Sequence, residues 1–105
     1  MKNKPVFRHE AAENDIQGIV DYYFGEDLQE TAVHFLNALE QTIKKIGSQP
    51  ALGSPRYAHK LGIEALRFRL IPRFPFMIFY VVGEDYIEVW RILHTKRDIP
   101  ATLQE

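Results

Sequence analysis

The chain has 105 residues, 46% hydrophobic and 12% aromatic, with a formal net charge of −1 at pH 7. This is the composition of a folded protein with material for one core, and it predicts a single domain over residues 1–105. The absence of cysteine excludes disulfide frameworks, thiolate metal sites and cysteine nucleophiles.

No stretch approaches the roughly 20 apolar residues of a membrane span, and no apolar signal core follows the basic N-terminus. No membrane partner and a cytoplasmic location are therefore expected. Charge is unevenly spread. Residues 1–52 carry five Lys or Arg against eight acids, and residues 53–105 carry eight against six, so the basic excess lies in the second half.

In chain order, Val6-Phe7-Arg8 reads as a short edge strand after Pro5. The period then changes. Ala12, Ile16, Ile19 and Tyr23 share one helical face, with Glu13, Asp15, Gln17 and Asp21 opposite, predicting an amphipathic helix from about Glu10 to Phe24 that Gly25 ends. Asp27 is the expected N-cap of a second helix, with Glu30 completing a capping box. Ala32, Phe35, Leu36, Leu39, Ile43 and Ile46 form its apolar stripe, and Gly47 and Pro50 stop it. The short link between the two predicts an antiparallel helical hairpin.

Residues 50–65 hold two prolines and two glycines without a period and read as an ordered loop. Leu66 to Ile71 alternates, predicting a strand with Leu66, Phe68 and Leu70 on the hairpin side and Arg67 and Arg69 on the open side. Pro72 and Pro75 forbid a helix before Phe76 to Val82, a run apolar in both phases that reads as the central strand. After Gly83-Glu84-Asp85, a last strand runs from Tyr86 to Leu93. Strict alternation there would bury Arg91, so either a bulge near Trp90 shifts the phase or Arg91 faces the open side at a fraying end. The fold class is thus α+β, in the order β-α-α-β-β-β, with the hairpin on one face of a small antiparallel sheet.

Several words in this order carry a resemblance: Ala12 with Asp15-Ile16 and Ile19, Tyr22-Tyr23, Pro50-Ala-Leu-Gly-Ser-Pro-Arg56, Phe74-Pro-Phe-Met-Ile-Phe-Tyr80, and Val89-Trp-Arg-Ile-Leu-His-Thr-Lys-Arg-Asp98. Together they resemble the ParE branch of the RelE/ParE toxin superfamily over nearly the whole chain. The resemblance implies the toxin of a type II toxin–antitoxin module, of the kind linked to plasmid stabilisation. Its implied partners are a cognate ParD-like antitoxin, forming a hetero-oligomer, and DNA gyrase as target, with DNA met only through the antitoxin or the gyrase complex. No enzyme activity, cofactor or metal is implied.

The other branch of the superfamily, the RelE-type ribosome-dependent mRNA endoribonucleases, is the alternative. Such chemistry needs cations on the phosphate and a general acid and base, and His94, Arg91 and Arg67 are the candidates. Against it, the last tyrosine is Tyr86 and Thr95-Lys96 follow His94, so no aromatic hydroxyl follows the last strand. A degenerate toxin without activity is a third reading.

For antitoxin binding the expected residues are Arg67, Arg69, Phe79 and Trp90; for target binding they are Arg56, Lys96 and Arg97. Each has a plainer reading. Arg56 suits a loop arginine on carboxylates or carbonyls, Arg67 and Arg69 can be solvated or pair with Glu88, and Trp90 can pack beneath the C-terminal tail. His94 suits a structural hydrogen-bonder tying that tail. His9, His34 and His59 are too scattered for a metal site.

Overall fold

The computed structural model describes residues 3–103. Met1, Lys2, Gln104 and Glu105 lie outside the described residues. Strand β1 (Val6–Arg8) leads into helix α1 (Glu10–Gly25) and helix α2 (Gln29–Ser48). A 3₁₀ turn at Pro50–Leu52 and a short helix α3 (Arg56–Leu61) precede β2 (Leu66–Leu70), β3 (Phe76–Val82), β4 (Ile87–His94) and helix α4 (Ile99–Leu103). The sheet order is β1-β4-β3-β2.

The expected order of elements is present, but the sheet is mixed. The β2-β3 and β3-β4 pairs are antiparallel, whereas β1 runs parallel to β4, with Val6 opposite Ile87 and Arg8 opposite Val89. A parallel pairing needs a long crossover, and the entire α1–β3 segment provides it.

The two helices join through Glu26-Asp27-Leu28 without the expected capping box. Asp27 takes a left-handed backbone at φ 60, Leu28 occupies the N-cap position with no side-chain cap, and the Asp27 carboxylate instead accepts from the Gln29 side-chain Nε2 at 3.0 Å. A reversal this tight needs one residue with positive φ, which Asp tolerates better than most, so Asp27 serves the turn and is lost to capping.

Two apolar clusters lie on opposite faces of the sheet. Beneath the hairpin, Ala12, Ile16, Phe35, Leu39, Ile43 and Ile46 meet Ile78, Tyr80, Val89 and Ile92. On the other face Leu66, Met77, Phe79, Leu93 and Ile99 form a second cluster, closed by Tyr57, Ala58 and Leu61 of α3 and Leu103 of α4. This face was expected to be open. The stretches read as loop and tail carry short helices that cover it, which is why β3 is apolar in both phases.

The same fact inverts β2. Leu66 and Phe68 belong to the second cluster, and Arg67 and Arg69 lie opposite Tyr80 and Ile78 on the hairpin side. Alternation was legible, but its facing was not, because two apolar layers competed for the leucine side of the strand.

Candidate functional site

In the middle of β4 the register shifts: Phe79 pairs with Arg91, whereas Tyr80 pairs with Val89, leaving Trp90 as the extra residue. Of the two alternatives for this strand, the bulge is the one formed. Beyond it β1 has ended, and Asp15 of α1 occupies the exposed edge. Its carboxylate takes Arg91 Nε at 2.7 Å and Nη2 at 3.0 Å, and accepts the Ile92 amide at 2.9 Å. Asp15 and Arg91 side chains are 14% and 23% exposed. The charge-assisted fork fixes both planes and satisfies an amide that would otherwise face an apolar wall.

Beside this lock lies a groove of about 640 Å³ between α1 and the β3-β4 end, lined by Ile19, Tyr22, Phe76, His94 and Arg97 among others. The His94 ring meets Phe76 edge to face at 5.4 Å. Its Nδ1 accepts the Lys96 amide at 3.1 Å, so a ring proton resides on Nε2. The Arg97 amide also donates to the His94 carbonyl at 3.0 Å. His94 thus ties the turn into the tail, as the plainer reading expected.

Arg67 is held at the other edge of the sheet, on β2. Its Nη1 donates to the carbonyls of Ala51 at 3.0 Å and Gly53 at 2.7 Å, pinning the proline-rich segment to β2. The Tyr80 hydroxyl donates to Pro50 O at 2.6 Å. Burial pushes that hydroxyl above its ordinary pKa, opposed by the Arg67 and Arg69 charges and by the Gly53 backbone. There is no room for a side chain at Gly53, since a Cβ there would stand 1.9 Å from the Tyr80 hydroxyl oxygen.

The residues expected to contact an antitoxin do not share one surface. Arg67 and Arg69 are on the hairpin side, and Phe79 is fully buried in the second cluster. Trp90 packs at the edge of that cluster with its ring stacked on His9 at 5.9 Å, and His9 in turn pairs with Glu88. Phe79 therefore offers no accessible contact in this conformation, and the Glu88 carboxylate faces His9 with no bridge to Arg67 or Arg69. The residues expected to meet a target fare differently. Arg56 and Arg97 line one cleft, together with Lys60, Asp98 and Pro100, and exposed Lys96 is adjacent in sequence. Lys60 was not anticipated, because its segment carried no period until α3 placed it one turn after Arg56.

In that cleft the Arg56 guanidinium lies 5.5 Å from the centre of the Tyr57 ring. Asp98 spends its carboxylate on the Ala101 amide at 3.2 Å, at the start of α4. None of the four ion pairs found among the described residues involves Arg56, Lys60, Lys96 or Arg97. Among the described residues no group of three or more His, Asp or Glu is placed to hold a metal ion, and no helix is long and apolar enough to cross a membrane.

The sequence matches the family model for the ParE toxin of type II toxin–antitoxin systems, parDE, over residues 6–99. The fold is similar to a solved structure described as the chromosomal ParDE toxin–antitoxin system from P. aeruginosa, with a TM-score of 0.72 and 20% identity, covering 87% of this chain and 95% of that one. No curated protein sequence matches.

Proposed function

We propose that this chain, which belongs to the ParE toxin family of type II toxin–antitoxin systems, inhibits DNA gyrase by binding and is neutralised by a cognate ParD-like antitoxin. The observation that carries the binding mechanism is the commitment of the arginines. Cleaving a phosphodiester needs cations free to receive the phosphate beside a general acid and base. Arg91 is spent on Asp15 and Arg67 on two backbone carbonyls. Arg56, Lys60 and Arg97, none of them in an ion pair, line one cleft with Lys96 next to Arg97 in sequence, and the carboxylate there, Asp98, is engaged with the Ala101 amide. Such a patch suits steering and electrostatic complementarity to a gyrase–DNA complex.

The RelE-type ribonuclease reading keeps one observation in its favour: His94 and Arg97 share the groove beside α1. Expression of the chain without antitoxin in a bacterial host separates the two readings. Under gyrase inhibition, DNA extracted with denaturant carries protein-linked breaks and primer extension finds intact messages. Cut messages with unbroken DNA refute the proposal.

A further inference from the structure

Arg69 lines neither the groove beside α1 nor the basic cleft. Its Nη1 is buried and has no hydrogen-bond partner, although buried guanidinium groups are nearly always satisfied. Arg69 also lines a cavity of about 300 Å³ between the C-terminal half of α2 and the β2 edge, together with Gln41, Thr42, Lys45, Leu70 and Arg73. Three cations therefore line one small cavity, and no carboxylate does. Arg73 is held there in a left-handed backbone conformation, φ 71, which a non-glycine residue adopts at a cost.

We infer that the Arg69–Lys45–Arg73 cavity receives an acidic side chain, Asp or Glu, carried on a segment of the antitoxin. The inference rests on the antitoxin reading proposed above and names where that partner docks. The lining holds three cations and no counter-charge, so a carboxylate is the group it lacks. The surroundings suit a polypeptide. Leu70, 57% exposed, stands at the cavity as an apolar anchor. The β2 edge is covered only in part, because Ser54 exchanges both backbone bonds with Phe68. Alternation puts the Leu70 amide on that same outer edge, two residues further on. An extended segment laid along Leu70 presents every second side chain to the hairpin face, over the cavity.

The test uses the toxin and the antitoxin encoded in the adjacent reading frame, with Arg69→Met, Lys45→Gln and, as a control on the opposite patch, Arg56→Gln. Dissociation constants should rise about 10- to 100-fold for Arg69→Met, less for Lys45→Gln, and stay unchanged for Arg56→Gln. The free Arg69→Met toxin should melt no lower than wild type, since it loses a donor that had no acceptor. A purely structural arginine would lower the melting temperature and leave affinity intact. Unchanged affinity in both cavity variants, while wild type binds, overturns the inference. Tight protection of the cavity by inorganic phosphate without any effect of the substitutions on antitoxin affinity also overturns it, assigning a small-anion site instead. Failure of wild-type toxin to bind the antitoxin at all refutes the underlying reading, a distinguishable result.

Discussion

Arg91 grips Asp15 through two parallel bonds, Nε to Oδ2 at 2.7 Å and Nη2 to Oδ1 at 3.0 Å, and so joins the first helix to the last strand across 76 positions of chain. The pair closes the sheet edge that β1 leaves bare after Arg8, with the Ile92 amide as third member. It also withdraws from the surface the arginine that a nuclease mechanism would most want.

Removing the Asp15 carboxylate breaks all three of these bonds. Asp15→Ala leaves a largely buried guanidinium and an unpaired Ile92 amide, so it should cost about 2–4 kcal/mol. Asp15→Asn keeps an acceptor for the amide and should cost less. Urea unfolding checks both, and equal stability of Asp15→Ala and wild type would show the edge to be closed by other means.

Gly53 should tolerate no side chain. An added Cβ falls 1.9 Å from the Tyr80 hydroxyl oxygen and 2.7 Å from Cζ, and Tyr80 is fully buried and cannot retreat. Gly53→Ala is expected to destabilise by at least about 2 kcal/mol. In a Tyr80→Phe background the penalty should shrink without vanishing, because Cζ is still too close. A double-mutant cycle by thermal unfolding measures the coupling.

Tyr80 also predicts an alkaline limit. Its folded-state pKa lies above the ordinary value because of burial, so the folded form holds the proton after the unfolded chain has lost it. The stabilising contribution is complete below about pH 10 and declines as pH rises through the folded value. Unfolding free energy measured from pH 9 to 11 should fall, with a shallower slope in Tyr80→Phe.

The inhibition model orders a set of variants. His94→Ala should lower toxicity only as far as it loosens the Lys96 turn, because no proton passes through the ring. Arg56→Glu with Arg97→Glu should abolish most toxicity, since complementarity is spread over the patch. If His94 is a general acid or base, the order reverses, with about 10²–10⁴ lost from one substitution. Growth arrest after induction, normalised to soluble toxin, separates the two.

The elements that position these groups were readable where periodicity was strong, as in the α2 stripe from Ala32 to Ile46 and the doubly apolar run of β3. What escaped was facing. Leu66, Phe68 and Leu70 alternate with arginines under either arrangement, and only the helices at Arg56–Leu61 and Ile99–Leu103 decide which side is which. Both are too short to show a period, and proline marks their boundaries as loop-like. Phe79→Asp therefore reports on folding and not on antitoxin contact. Asp15 showed the opposite limit. It was visible as a residue of the polar helix face, yet its partner at Arg91 lay beyond any local pattern.

The most direct measurement places purified toxin with gyrase, ATP and supercoiled plasmid beside a parallel reaction of ribosomes and a short mRNA. Accumulation of gyrase-cleaved DNA with the mRNA intact is the predicted result. Codon-specific mRNA cuts with supercoiling and DNA untouched would contradict it.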